Sequence, residues 1–327
     1  MIVSCHGQMS QTVIYFQVTF CPKGFCVMKK QLMLPLAAAA GGAAALVLRL
    51  LQNKTGFEAS TGLPIPGNAP GIALAALLAA LAVALCLLTR LLPPEDEGGP
   101  FFPEDFRTVN AGLAALPVAG VFLMAVSGAL DIAAGAALLN PAESAALAGV
   151  GGADGPSVIW AAGVISASGL TFTPRARALA GALTLIAAVS LLPAVACCRR
   201  RPGVRPRTAS PALLLVPPVC MVARLVLAYR VDSVNPALQA YYVEILALTF
   251  MTLAFYRLSS LAYHAVKRRR FAPYAGAAAA LCLTALADSE GLSALLLYAG
   301  GAATLLGFLL LWLTEGQSVS EIVENDG

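Results

Sequence analysis

The length of the apolar runs constrains this chain more than any other feature. Residues 71–92, GIALAALLAALAVALCLLTRLL, carry a single charge, and residues 292–313, LSALLLYAGGAATLLGFLLLWL, carry none. A helix rises 1.5 Å per residue, so about 20 such residues cross the roughly 30 Å hydrocarbon core of a bilayer. Inside lipid the backbone must satisfy its own hydrogen bonds, which leaves helices or a closed barrel. Alanine and leucine dominate the runs with little β-branched alternation, so they read as helices rather than barrel strands. Composition agrees. The chain is 59% hydrophobic and 12% charged, with a mean hydropathy of +0.79, whereas a soluble domain carries about 25% charged residues.

The sequence therefore predicts an all-α polytopic transmembrane helical bundle of about eight spans. They fall at 32–51, 71–92, 109–131, 178–198, 211–229, 237–263, 271–287 and 292–313. Pro and Gly punctuate the connections, as in LPIPGNAPG and RRRPGVRPRTASP. Lys and Arg set the orientation. Arg199, Arg200, Arg201, Arg205 and Arg207 follow span four, and Lys267, Arg268, Arg269 and Arg270 follow span six. Two spans separate the clusters, so both lie on the cytoplasmic side, with Lys29 and Lys30, and both termini are inside. The basic clusters act as topological anchors and offer charge to anionic headgroups.

The chain divides into residues 1–27, an integral membrane domain over 28–314, and an acidic cytoplasmic tail over 315–327. Residues 1–27 hold three of the eight cysteines and neither Asp nor Glu. Met28, two lysines and an apolar run then make an ordinary start for a bacterial inner-membrane protein. The expectation is a multi-pass protein of the bacterial cytoplasmic membrane whose translation starts at Met28. A signal peptide fits less well, because the basic residues follow this segment instead of opening it.

Two segments resist a simple reading. Residues 156–172, PSVIWAAGVISASGLTF, are apolar but short, and are read as an external re-entrant or interfacial piece. The preceding AGVGGADGPS lacks the Lys-Ser/Thr of a phosphate loop. The loop 93–108 is acidic, and Glu95, Asp96 and Glu97 are placed to meet the arginines of 199–207 or to remain solvated.

Charges inside the apolar runs are the candidate functional residues. Span five runs outward and span six inward, which puts Arg224 about 7–8 Å and Glu244 about 10 Å below the outer boundary. An unpaired Arg at the centre of a span costs about 2.5–3.5 kcal/mol on the insertion scale, so Arg224 and Glu244 are expected to form a structural ion pair. Arg49, Asp131, Tyr229, Arg230, Asp232, Tyr242, Asp288 and Glu290 fall toward the same side, and with Arg224 and Glu244 they outline an outward-facing polar pocket. Tyr242, Thr249, Thr252, Tyr256, Ser259 and Tyr263 recur at helical spacing along span six. They read either as lining for a solute path or as hydrogen-bonding glue between helices. Arg257, near the inner end, is expected to snorkel to the headgroups. Gly41, Gly42, Gly300, Gly301 and Gly307 would let helix backbones approach, or merely reflect a composition rich in small residues.

Several functions lack their residues. The two histidines, His6 and His264, stand apart, the cysteines have no ligand spacing, and neither HExxH nor GxSxG occurs. No metal, cofactor or catalytic set is expected. The arginines sit at membrane ends without interleaved aromatics, which argues against nucleic acid. The expected partner is the lipid bilayer, with a small solute or a membrane protein beyond it. A small-solute transport component is the favoured function. A non-catalytic structural, sensory or assembly partner is the alternative. An intramembrane enzyme on a lipid, using Asp131, Glu244 or Asp288 as acid or base, ranks third.

The start at Met28 predicts that the intact mass of the native protein corresponds to residues 28–327; a mass that includes Met1 would refute it.

Overall fold

The computed structural model describes residues 22–58, 65–92, 106–108, 110–139, 174–199, 210–232, 238–263, 268–289 and 291–315. About 90% of the structure is helical, and among the described residues there is no strand. The helices are α1 (Pro22–Thr55), α2 (Ala69–Arg90), α3 (Ala111–Leu139), α4 (Pro174–Cys197), α5 (Val216–Asp232), α6 (Leu238–Ala262), α7 (Phe271–Ala285) and α8 (Leu292–Glu315). Each predicted span coincides with one of them. Seven contain a stretch long and apolar enough to cross a membrane, the fifth counted together with the 3-10 turn before it. The eighth, α7, has 15 residues, which is about 22 Å of helix.

The short helix survives because protein surrounds it. It packs on α1, α6 and α8 and touches α2, and Ala275, Gly276, Ala278, Ala279, Ala280 and Cys282 are all buried. A 3-10 turn, Arg268–Arg270, precedes it. Beyond its end Leu286, Ala287 and Asp288 donate to the carbonyls three residues back, at 3.1–3.3 Å. That tightening satisfies the last carbonyls of the helix and ends it at Asp288. By contrast α2 is an edge helix. It leans on α1 and turns Ile72, Val83 and Leu87 outward.

Proline shapes α5. An α-helix through Pro217 and Pro218 would need their missing N–H groups to reach Leu213 and Leu214. The chain instead opens with a 3-10 turn over Pro211–Leu215, in which Leu213 N–H donates to Ser210 at 3.1 Å. Before α2, Pro66 and Gly67 form a turn in which Gly67 has φ +78°, a conformation that favours glycine.

Backbone contact between small residues sets the helix order. Gly128 and Gly181 face each other across α3 and α4, where a Cβ on either would lie 2.7 Å from the other's carbonyl oxygen. On its other side α3 meets α8. A Cβ on Gly300 would stand 2.9 Å from Met124 N, and one on Gly307 would stand 2.7 Å from Pro117 N. Gly42 on α1 admits the backbone of α7, with Ala280 Cα 2.9 Å from where a Cβ would be. Of the two readings of these glycines, close approach is the one realised at Gly42, Gly300 and Gly307. Gly301 differs, since it faces the Met251 side chain.

Gly128 opposite Gly181 and Gly135 opposite Ala178 make α3 and α4 antiparallel. The chain thus leaves α3 and enters α4 at one end of the bundle, as eight alternating spans require. Residues 156–172 themselves lie outside the described residues, as do residues 1–21, the acidic loop 93–105, Arg200–Arg207 and the tail 316–327.

At the end carrying the basic connections, the approach to α3 is stapled down. Thr108 N–H donates to Cys198 at 2.8 Å, and Thr108 bridges Arg199. Phe106 is buried edge-on between Phe271 and Phe308, at ring distances of 6.3 and 5.6 Å.

Gly307→Ala should destabilise the protein in detergent by about 1–3 kcal/mol, since its methyl meets a proline ring and backbone nitrogen. Gly112→Ala, with nothing within 4 Å of the new methyl, should leave thermal unfolding unchanged or raise its midpoint. Equal losses for the two would remove close packing as the reason for Gly307.

Candidate functional site at the end opposite the basic connections

Asp131, Glu244 and Asp288 sit within the helices or their turn at this end, and each meets donors from other helices. Asp131 lies two turns before the end of α3 and is buried. Its Oδ2 receives Arg224 Nη2 of α5 at 3.3 Å and Nη1 at 3.4 Å, and its Oδ1 receives Arg177 Nε of α4 at 3.4 Å. Arg224 Nη1 also donates to Thr184 Oγ1 at 2.6 Å and to the Ala180 carbonyl at 3.0 Å. One arginine thereby ties α3, α4 and α5.

A second assembly holds α1 to the α7–α8 turn. Arg49 is 1% exposed, and its Nε reaches both oxygens of Asp288 at 2.8 and 2.9 Å. Arg49 Nη1 donates to Gln52 Oε1 at 2.9 Å. Asn53 Nδ2 donates to Asp288 Oδ1 at 2.9 Å and to the Ala287 carbonyl at 3.2 Å. The Arg49 guanidinium also lies 5.3 Å from the ring centroid of Tyr242 on α6, a cation–π contact worth about 0.5–2 kcal/mol.

Glu244 stands between the two assemblies. It follows Tyr242 by two residues, and its Oε1 accepts from the Tyr298 hydroxyl of α8 at 2.6 Å. Tyr298 is buried and lies within electrostatic reach of Arg224. Nearby, Ser127 of α3 donates to the Ser293 carbonyl of α8 at 2.6 Å. Arg49, Arg177 and Arg224 therefore oppose Asp131, Asp288 and Glu244, and the whole is close to neutral.

The expected partner of Arg224 was Glu244; the guanidinium is given to Asp131 instead. Equal depth motivated the expected pair, but depth leaves open which way each side chain points around its helix. Asp131, Thr184 and Tyr298 lie at comparable depth and were equally eligible. The predicted end of span three at Asp131 also moves, because α3 continues to Leu139 and turns Asp131 into the bundle. Arg49 likewise lies inside α1, not at its end.

The remaining expected site residues divide. Tyr242 and Asp288 join the cluster. Tyr229 is 57% exposed on the outside of α5, and Arg230 is exposed too. Glu290 and the Asp232 side chain lie outside the described residues. The polar series on α6 is not a continuous lining. Thr252 and Ser259 are buried, whereas Tyr256 and Tyr263 are exposed. Thr249, Thr252 and Ser259 donate to carbonyls of their own helix at 2.7–2.8 Å. These three hydroxyls fold back on the backbone of their own helix.

Sequence reading missed Gln52, Asn53, Arg177, Thr184 and Tyr298 as members. Tyr298 had a readable signal, since a phenol inside an apolar run needs an acceptor at its own depth. Thr184, in an alanine-rich run, had none.

The acids here are engaged by arginines, an amide and a phenol. Among the described residues no three of His, Cys, Asp and Glu gather as a metal ion would require. Asp131 is the most exchangeable member. Its 3.3–3.4 Å contacts are long for charge-assisted hydrogen bonds, which run about 2.7–2.9 Å. No protein-family model, curated protein or solved structure matches this chain.

Double-mutant cycles on thermal or denaturant unfolding should separate the partners of Arg224. Arg224→Gln with Asp131→Asn should show a coupling of about 1 kcal/mol or more, within the 0.5–3 kcal/mol typical of contacting pairs. Arg224→Gln with Glu244→Gln should show less; the reverse order would contradict the arrangement.

Proposed function

We propose that this protein is a small-solute transport component of the bacterial cytoplasmic membrane, binding a polar solute at the outward end of the bundle. The observation that supports this reading is the convergence of charged and polar groups from α1, α3, α4, α5, α6, α8 and the α7–α8 turn. A charge within lipid costs about 2.5–3.5 kcal/mol on the insertion scale, and such residues most often mark solute or ion pathways. A bundle already packed through glycine contacts has little need of so many. The loosely held Asp131, shared by Arg177 and Arg224, is where an incoming anionic group of the solute would compete.

A second reading is a non-catalytic structural or assembly partner. It is favoured by the internal hydrogen bonds already made by Arg49, Asp131, Arg224, Glu244 and Asp288. On that reading the cluster is a set of latches between helices.

Thermal unfolding in detergent, screened against amino acids, nucleosides, vitamins, sugars and lipid headgroups, separates the two. A solute at a hundred times its Kd should stabilise the wild type by about 2.7 kcal/mol. Glu244→Gln keeps an acceptor oxygen for Tyr298 and removes the charge, so the variant should fold and lose the response. No stabilising solute, together with stable co-purification of another membrane protein, would replace the transport reading with the second.

A further inference from the structure

At the opposite end of the bundle the Arg257 guanidinium has a nitrogen with no acceptor among the described residues. Arg257 lies five residues before the end of α6, about 7–8 Å along the helix from Ala262. Its guanidinium sits 5.0 Å from the ring centroid of Tyr274 on α7 and 5.9 Å from that of Tyr256. Its Nε is buried and has no hydrogen-bond partner among the described residues. The residue as a whole is half-buried beside Tyr256, which is 50% exposed. Two aromatic faces thus hold a permanent charge at the bundle surface and give it no anion.

The hairpin that carries Arg257 has no acid to offer it. Between Glu244 and Asp288 the sequence contains neither Asp nor Glu, while Lys267, Arg268, Arg269 and Arg270 join α6 to α7. Tyr274 follows Arg270 by one turn, so Arg257 sits within about a turn of that basic connection. Arg270 is exposed, and Arg269 Nε donates to the Thr89 carbonyl at the end of α2. An arginine paired only with π-faces keeps its in-plane N–H groups for a planar or tetrahedral oxyanion. In a bilayer the oxyanion available at this depth is a lipid phosphate. Basic pockets between helices on the cytoplasmic side suit anionic headgroups for this reason.

We infer that Arg257, held between Tyr256 and Tyr274 and backed by Arg270, forms a binding site for the phosphate of an anionic phospholipid at the basic end of the α6–α7 pair. The rings hold the guanidinium in place, and the neighbouring basic turn adds selectivity for a net negative headgroup over a zwitterionic one. This site is separate from the cluster at the other end, and does not depend on what that cluster binds.

The full chain in a neutral detergent, titrated with phosphatidylglycerol, phosphatidylcholine or inorganic phosphate, tests the assignment by native mass spectrometry and thermal unfolding. The wild type should retain phosphatidylglycerol in preference to phosphatidylcholine and be stabilised by it, while inorganic phosphate alone should do neither. Arg257→Gln should weaken phosphatidylglycerol retention about fivefold, the equivalent of roughly 1 kcal/mol per basic residue at a membrane surface. Arg257→Lys keeps the charge without the fork, and should retain part of the preference, which holds the test open should the glutamine variant fail to fold. A wild type that treats the two lipids alike, or an Arg257→Gln variant that binds phosphatidylglycerol as the wild type does, would overturn the inference. So would an equal response to inorganic phosphate, which would make this a free-anion site.

Discussion

In an apolar surrounding every polar group must find its partner inside the chain, and this one constraint organises the molecule. It forces the backbone into helices, since nothing else closes its own hydrogen bonds within a single segment. It acts again on the charged side chains. Arg224 finds Asp131, Thr184 and the Ala180 carbonyl on two other helices. Arg49 finds Asp288 and Gln52. Each solution fixes a helix against others at a set depth and rotation, so the polar cluster fixes the packing at that end.

The glycine contacts do the complementary work along the length of the bundle. Between membrane helices there is no hydrophobic gain from burying leucine, so close van der Waals approach carries association. Helix α3 gains it on two sides, against α4 through Gly128 and Gly181 and against α8 through Pro117 and Gly307. Position α7 shows the extreme case. Its alanines bring α1 near, and being enclosed frees it from the length a lipid-facing span needs. The two ends of the bundle then differ in kind. One is cross-linked by internal ion pairs, while at the other Arg257 lies against two aromatic rings and its Nε has no partner among the described residues.

Much of the site was legible for a simple reason: charge within an apolar run is visible one residue at a time. Arg49, Asp131, Arg224, Glu244 and Asp288 were all found that way, and the structure brings donors and acceptors to each. Their pairing was not legible. Span three is predicted to end at Asp131, whereas α3 runs on through the uncharged residues Ile132 to Leu139. The α6 hydroxyls read as either lining or interhelical glue, because spacing along a helix says nothing of whether a hydroxyl turns back to its own carbonyl.

What the sequence alone determined is the class of solution: eight helices, their boundaries to within a few residues except at the start of α1 and the end of α3, and the residues that could not be left bare. Those follow from local quantities, namely hydropathy, run length and the cost of isolated charge. The tertiary structure decided which helix faces which, that Asp131 and not Glu244 takes Arg224, that Tyr298 takes Glu244, and that a 15-residue helix can serve in the interior. Those depend on rotation about each helix axis, which is set by small-residue contacts between segments far apart in the chain. No window of the sequence contains both sides of such a contact.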